Sequence, residues 1–149
     1  MKYHIRPMTE DDINDVVKGE EEIFKTSLGY DMIYTDINLN PYAYYFVLEI
    51  DAKISGYIGL WIEDQAQIIN FYVDKKYQNK GFGSMILKFV IELCIMSKVN
   101  NISLEVRESN IKAINLYEKY GFVKSYKRNS YYEDGEDAIV MIRNFEVEK

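Results

Sequence analysis

Two apolar runs joined by a glycine-rich turn constrain this chain more than any other feature. The first run, IINFYV, is short and rich in β-branched and aromatic residues, which predicts a buried strand. The second run, MILKFVIELC, is long enough to predict a helix. Between them, YQNKGFGS carries Gly81 and Gly83, which tolerate backbone conformations that other residues avoid. The sequence therefore predicts a strand that enters a helix through a tight turn.

A turn of this kind can bind a phosphate group. Successive backbone N–H groups can converge on an anion where glycine removes the side chains, and the helix N-terminus adds its positive end. The turn matches neither the P-loop pattern nor the dinucleotide-binding pattern. A purely structural turn, with Lys75, Lys76 and Lys80 in solvent, explains the same letters equally well. The turn alone leaves both interpretations open.

Strands and helices alternate along the rest of the chain. Strands are predicted in KYHIRPM, YAYYFVLEID, ISGYIGLWIE, QAQIINFYVD, NISLEVRE, VKSYKRNSYYE and DAIVMIRNFEV. Helices are predicted after a Thr9 cap, at residues 83–97, and in SNIKAINLYEKYGF. Residues 25–41 form either a short helix or an irregular loop, and a DGE turn joins the last two strands. This order predicts a single α/β domain over residues 1–149 with a mixed sheet.

Composition argues against several classes of function. The chain has one cysteine, Cys94, and one histidine, His4, so a zinc site built from several such ligands is excluded. For the same reason we expect no metal and no Ser-His-Asp triad. We predict that Cys94 is an inert core thiol and that His4 has no catalytic task. A formal net charge of −6 argues against nucleic acid as a partner.

The hydropathy pattern bears on location. No run approaches the roughly 20 apolar residues that cross a bilayer. The N-terminal sequence, MKYHIRPMTEDD, lacks the apolar centre of a signal peptide. We therefore expect a cytoplasmic protein with no membrane partner.

A second group of polar and aromatic residues lies in LEVRESNIKAINLYEKYGF. Glu105 is near the end of a predicted strand, Asn110 opens the following helix, and Tyr117 lies two turns along it. Carboxylates and phenols are common proton-transfer groups in enzymes. Taken singly, however, each residue is more often a half-buried packing residue or a solvated strand residue. The segment gains meaning from its combination with the glycine turn.

The combination resembles the GNAT family of N-acetyltransferases. QNKGFG is similar to that family's Q/R-x-x-G-x-G/A motif, whose fixed positions are Gln78, Gly81 and Gly83. The later segment is similar to its N-x-x-A-x-x-x-Y-x-x-x-G-F pattern, which is matched by Asn110, Ala113, Tyr117, Gly121 and Phe122. The resemblance runs from about Lys2 to the C-terminal strands. It implies a mixed, mostly antiparallel central sheet that is splayed in the middle and flanked by helices.

The resemblance also implies a ligand, acetyl-CoA, as the cosubstrate. In the family the glycine turn holds the pyrophosphate of coenzyme A, and the preceding strand pairs its backbone with the pantetheine arm. The corresponding residues here are Phe71, Tyr72, Val73, Gln78, Asn79, Lys80, Gly81, Phe82, Gly83, Ser84 and Asn110. In the family the acetyl thioester lies where the sheet splits, and a backbone N–H stabilises the oxyanion.

The proton-transfer roles follow from the same resemblance. Glu105 corresponds to the glutamate that takes the proton of the attacking amine, directly or through a water. Tyr117 corresponds to the tyrosine that gives a proton to the departing thiolate of coenzyme A. The implied reaction is direct attack in a ternary complex, without a covalent enzyme intermediate.

A narrower resemblance concerns the acceptor. LEVRESN, LYEKYGF and YYEDGEDAIVM together are similar to the branch that acetylates the α-amine of ribosomal protein S18. The acceptor then is a basic protein N-terminus, which the acids Glu133, Asp134, Glu136 and Asp137 are expected to attract. KTSLGYDM lacks the Pro-Trp-Ser of that branch on the acceptor side. A small-molecule amine as acceptor, and a catalytically silent module that binds coenzyme A, are the alternatives.

Overall fold

The structure, a computed structural model, describes residues 1–146. The chain divides into two compact units. The first unit contains residues 1–62 and 69–86, and the second contains residues 63–68 and the chain from Leu87 onward. The expectation of a single domain over residues 1–149 stays a prediction.

The first unit combines an antiparallel sheet with two helices. Its strands are β1 (Tyr3–Pro7), β2 (Ala43–Ile50), β3 (Lys53–Ile62) and the later part of β4 (Ala66–Val73). Its helices are α1 (Ile13–Phe24), α2 (Tyr30–Leu39) and the first turn of α3 (Phe82–Met96), with short 3₁₀ turns at Glu10–Asp12 and Lys75–Tyr77. Residues 25–41, which the sequence predicts as either a short helix or an irregular loop, therefore contain a helix over Tyr30–Leu39.

Apolar side chains from both helices and the sheet form the core of the first unit. Ile13 and Val16 lie three residues apart on α1, as a helix with one buried face requires. The full core cluster consists of Met8, Ile13, Val16, Ile33, Tyr45, Val47, Tyr57 and Tyr72. Because a tyrosine of β4 belongs to this cluster, the packing of α1 fixes that strand from one side.

The second unit begins with the first residues of β4 and continues through most of α3. It then contains β5 (Asn101–Arg107), α4 (Ile111–Lys119), β6 (Val123–Arg128) and β7 (Ala138–Asn144). Strand β5 alternates strictly, with Ile102, Leu104 and Val106 buried and the odd-numbered residues partly exposed. That alternation places Glu105 and Arg107 on the same face of the strand.

The seven strands form one mixed sheet in the order β1-β2-β3-β4-β5-β7-β6. The β1–β2, β2–β3, β5–β7 and β6–β7 pairs are antiparallel, whereas β4 runs parallel to β5 with Ala66 opposite Ile102 and Gln67 opposite Ser103. The predicted fold class, an α/β fold with a mixed and mostly antiparallel sheet flanked by helices, is confirmed.

The last hairpin differs from its prediction. Strand β6 ends at Arg128 rather than Glu133, so residues 129–137 form a closing loop instead of a short DGE turn. The loop is held by side chains: Arg107 binds the carboxylates of Asp134 and Glu136, and Asp137 accepts a hydrogen bond from the Ser130 N–H at 2.7 Å. The contacts of Arg107, a side chain of β5, therefore decide the shape of this loop, and the local preference of DGE for a short turn does not.

Residues 1–146 contain no helix that has both the length and the apolar character needed to cross a membrane.

Candidate active-site residues

The glycine turn of the first unit has the geometry of an anion cradle. The N–H of Met85 donates to the Gly81 carbonyl at 3.0 Å, so the N–H groups of Phe82, Gly83 and Ser84 precede the hydrogen-bonded ladder of α3. Gly81 has a φ of 89°, a conformation that favours glycine. First-turn N–H groups and the helix dipole together attract phosphate. The local structure therefore suits the pyrophosphate-binding role that the sequence motif implies.

The side chain of Gln78 forms a hydrogen bond within the protein. Its side-chain amide donates to the Val73 carbonyl at 2.9 Å, which ties the turn to the end of β4. The sequence predicts both residues as contacts of the cofactor. In the structure Gln78 fixes the path of the chain between the strand and the helix through the Val73 carbonyl, and the cofactor contacts of both residues stay a prediction.

The lysines of the turn lie against an aromatic ring. The Nζ atoms of Lys76 and Lys80 lie 5.0 and 5.9 Å from the Tyr77 ring centroid, within the range of cation–π attraction. Phe82 packs edge-on against the same ring at 5.9 Å and is buried. The aromatic pair thus keeps two cations, Lys76 and Lys80, close to the exposed Asn79.

Strand β4 is held from behind by α1. Tyr72 is buried, and a Cβ atom added at Gly19 would lie 2.0 Å from its hydroxyl oxygen. Glycine inside a helix costs about 1 kcal/mol relative to alanine, so its presence at position 19 has a packing reason. The close approach sets how near α1 comes to the strand predicted to pair with pantetheine.

A buried carboxylate on α1 was missed by the sequence interpretation. Glu20 is 0% exposed and accepts hydrogen bonds from Tyr57 Oη at 2.5 Å, Ser27 Oγ at 2.8 Å and Asn70 Nδ2. The side-chain Oδ1 of Asn70 accepts from the Phe71 N–H at 3.0 Å. Glu20 therefore connects the segment between α1 and α2 with β4. A lone Glu in an acidic helix gives no sequence signal of burial, because its partners lie far along the chain.

Tyr117 lies in the second unit on α4. Asn110 caps that helix, with its Oδ1 accepting from the Ala113 N–H at 3.1 Å. Tyr117 is 8% exposed, and its ring packs against Phe122 at 5.8 Å. Burial raises the pKa of Tyr117 above its ordinary value. The phenol consequently keeps its proton at neutral pH, as a general acid must. The cap employs the Asn110 side chain, which the sequence predicts as a cofactor contact.

Glu105 lies on β5 in the same unit and is engaged by a cation. Arg128 Nε donates to Glu105 Oε1 at 3.1 Å. The Tyr131 hydroxyl faces the same carboxylate, which raises the pKa of Tyr131. Glu105, Arg128 and Tyr131 are hereafter the carboxylate cluster. Arg128 is 23 residues from Glu105 along the chain, so only the β5–β7–β6 pairing brings the two together.

Tyr132 lies in the closing loop and is partly buried. Burial raises the pKa of Tyr132 to about 12, and the negative charge of Glu105 acts in the same direction. Arg107 lies 4.0 Å from the centroid of the Tyr132 ring. The closing loop therefore contributes a phenol, Tyr132, that keeps its proton at neutral pH and packs against Arg107.

The acids of the closing loop have partners of their own. Arg107 binds Asp134 at 2.9 Å and Glu136 at 3.0 Å, and Lys127 Nζ lies 3.9 Å from Asp137. The expected attraction of a basic peptide by four free acids is therefore reduced, because three of them neutralise cations of the protein itself. Their main task in the structure is to shape the loop.

Two further single residues, Cys94 and His4, lie away from the glycine turn along the chain. Cys94 is fully buried, and burial raises its pKa to about 11, which leaves the thiol protonated and unreactive. His4 lies on β1 opposite Glu49 and is exposed. In residues 1–146 no group of three or more His, Cys, Asp or Glu side chains is arranged to hold a metal ion.

Comparison with known proteins gives a consistent result. The model of the acetyltransferase (GNAT) family matches residues 11–122. A Bacillus subtilis (strain 168) protein, provisionally named ribosomal protein bS18-alanine N-acetyltransferase, is 38% identical over 142 residues, which is 94% of each chain.

Two solved structures superpose on nearly the whole chain. The ribosomal-protein-S18-alanine N-acetyltransferase from Escherichia coli superposes with a TM-score of 0.90 and 27% identity, over 99% of this chain and 97% of that one. Ard1 from Thermoplasma volcanium superposes with a TM-score of 0.88 and 26% identity, over the full length of both chains.

Proposed function

This chain belongs to the GNAT acetyltransferase family, and from that premise we propose that it acetylates the N-terminal α-amine of a protein, with ribosomal protein S18 as the first candidate. The observation that carries the proposal is the arrangement of the second unit. Glu105 lies on the partly exposed face of β5, and the buried Tyr117 lies on the following helix, α4, so the second unit supplies one candidate proton acceptor and one candidate proton donor. Relatives that carry the name of an S18-alanine N-acetyltransferase support the choice of acceptor.

The glycine turn would bind acetyl-CoA through backbone groups. The first-turn N–H groups of Phe82, Gly83 and Ser84, with Asn79 and Lys80 beside them, would hold the pyrophosphate. The backbone of Phe71, Tyr72 and Val73 would pair with the pantetheine arm as an added strand does. Gln78 would support both elements from inside through its bond to the Val73 carbonyl.

The chemistry needs two proton transfers. The acceptor arrives as an ammonium ion, since a free α-amine has a pKa of about 7.7–8.0. Glu105 would take one proton, directly or through a water, and the amine nitrogen would then attack the acetyl carbon. The C–N bond forms, the C–S bond breaks, and the second amine proton is released. The second amine proton and the proton held by Glu105 would pass to solvent, and Tyr117 would give a proton to the thiolate and regain one from solvent, so the sum is amide, coenzyme A thiol and one proton to solvent.

Two alternatives remain distinct from this proposal. A small-molecule amine as acceptor would use the same cofactor and the same proton transfers. A silent module that binds coenzyme A would need neither Glu105 nor Tyr117 for proton transfer. The loss of Pro-Trp-Ser in KTSLGYDM bears on the acceptor alone, because that segment leads into α2 rather than into the turn.

The test is release of thiol from acetyl-CoA in the presence of different amines. The panel contains a peptide with the S18 N-terminus, a polyamine, an amino acid and an aminoglycoside. We expect turnover with the peptide at a kcat/KM well above that of every small amine. Turnover with small amines alone would replace the proposed acceptor, and binding of coenzyme A without any turnover would favour the silent module. A cytoplasmic location, where ribosomal proteins are made, follows from the proposed acceptor.

A further inference from the structure

The carboxylate cluster holds a cation where the proposed reaction needs a base. Arg128 Nε lies 3.1 Å from Glu105 Oε1, and a second nitrogen of Arg128 donates to Tyr126 Oη at 3.1 Å. A carboxylate that is paired with a guanidinium is a weaker proton acceptor than a free one. The same carboxylate must receive the proton of an ammonium ion, so the resting ion pair opposes the first step.

The two arginines of this face differ in how firmly they are held. Arg107 binds two carboxylates, Asp134 and Glu136, and stacks on Tyr132 at 4.0 Å. Among the described residues Arg128 forms one ion pair, with Glu105, and 44% of its side chain is exposed against 34% for Arg107. An exposed single pair contributes little and opens easily. Arg107 of β5 is therefore held against the closing loop by two carboxylates, whereas the link between Arg128 and Glu105 is a single, more exposed ion pair.

The Arg128 guanidinium and the acceptor ammonium are chemically equivalent at this position. Both are cations that donate N–H hydrogen bonds to a carboxylate. Glu105 is 18% exposed, and Arg128 lies against its Oε1, so an ammonium that approaches Oε1 meets the guanidinium there. Tyr126 and Tyr131 flank the paired guanidinium with ring centroids at 5.4 and 5.8 Å, so Arg128 has partners on this face besides Glu105.

We propose that Arg128 is an exchangeable counter-ion of Glu105, which the cationic amine of the acceptor displaces when it binds. This inference rests on the proposed function. Arg128 is a positioning residue, since it touches the base and not the reacting atoms. The exchange makes a positive charge on the acceptor a condition for freeing Glu105, so neutral molecules that reach the site leave the base paired.

The kinetic test compares Arg128→Gln with Lys127→Gln, which removes the same charge from the neighbouring residue of β6. In Arg128→Gln the acceptor ammonium no longer has to displace a guanidinium from Glu105. We therefore expect the KM of the peptide to fall about two- to fivefold, which corresponds to the free energy of an exposed ion pair. Lys127→Gln should leave that KM unchanged, because Lys127 pairs with Glu108. Arg128→Lys restores a cation and should bring the KM back toward its original value.

A second measurement reads the cluster without turnover. Glu105 raises the pKa of the Tyr131 hydroxyl, and Arg128 lowers it. Tyr132 is the neighbouring titratable phenol. Titration of the Tyr131 ring carbon by NMR, assigned with Tyr131→Phe, should therefore show a higher midpoint in Arg128→Gln and a lower one in Glu105→Gln. A midpoint that Arg128→Gln does not move would overturn the proposed contact.

The outcomes separate the two proposals. A lower KM in Arg128→Gln alone, with the Tyr131 shift, supports the exchange. A peptide that lacks the α-amine should bind Arg128→Gln and the unaltered enzyme equally, and tighter binding of that peptide to Arg128→Gln would contradict an exchange of cations. Turnover with an unchanged KM in Arg128→Gln overturns the exchange and leaves the proposed function standing. Absence of turnover with every amine in the unaltered enzyme overturns the proposed function, and the exchange with it.

Discussion

The glycine turn of the first unit presents backbone groups, whereas the carboxylate cluster of the second unit presents side chains. The turn presents backbone N–H groups, and its conformation depends on Gly81 at a φ of 89°. The cluster presents side chains from β5, β6 and the closing loop, and its state depends on which cation lies against Glu105. The difference suggests that the turn holds a ligand in one way, whereas the cluster changes partners during a reaction.

Removing the hydroxyl of Tyr117 should separate these two tasks most strongly. In Tyr117→Phe the ring still packs against Phe122, but no proton is available for the thiolate. We expect kcat to fall by about 10²–10⁴-fold, the usual contribution of general acid catalysis. The Kd of coenzyme A, measured by calorimetry, should stay the same. A parallel loss of binding would assign Tyr117 to the cofactor site instead and would break the comparison.

A smaller effect is expected where α1 supports β4. In Gly19→Ala the new Cβ would lie 2.0 Å from Tyr72 Oη, so the buried ring must move. Overpacking of this kind costs about 1–3 kcal/mol of unfolding free energy, which urea denaturation measures. In a Tyr72→Leu background the same change should be neutral or stabilising, because alanine favours a helix. Equal destabilisation in both backgrounds would show that Tyr72 is not the cause.

The backbone requirement of the turn can be tested with a matched pair of glycines. Gly81 and Gly135 have φ values of 89° and 87°, and a Cβ atom at either position meets nothing within 4 Å. Alanine resists this conformation by about 1–2 kcal/mol. Gly81→Ala should therefore raise the Kd of coenzyme A about tenfold. Gly135→Ala carries the same strain in the closing loop, and a similar loss of affinity there would mean that the turn is not the binding element.

The smallest expected effect is a flat pH profile. An ordinary tyrosine, with a pKa of about 10, begins to lose its proton near pH 9. Because burial raises the pKa of Tyr117, the acid form persists above that range. We expect kcat, measured with saturating substrates, to show no alkaline decline between about pH 8 and 10. A decline centred near pH 8 or 9 would indicate that some other, less buried group donates the proton.

The sequence was informative where function depends on local backbone conformation. The order of elements, the glycine turn and the Asn110 cap all follow from neighbouring residues, and the mixed sheet is confirmed. The burial of Glu20 and the pairing of Arg128 with Glu105 do not follow from neighbouring residues. Their contacts join residues 7 to 50 positions apart along the chain. The closing loop was missed for the same reason, since Arg107 on β5 shapes it from 27 and 29 residues away.

The central claim is that the acetyl group of acetyl-CoA reaches the α-nitrogen of a protein N-terminus. The most direct test is a peptide that carries one α-amine and several lysine side chains, incubated with the enzyme and acetyl-CoA and then fragmented by tandem mass spectrometry. We expect a single acetyl group on the α-nitrogen of the first residue. Acetylation of the lysine side chains in preference to the α-amine would contradict this account.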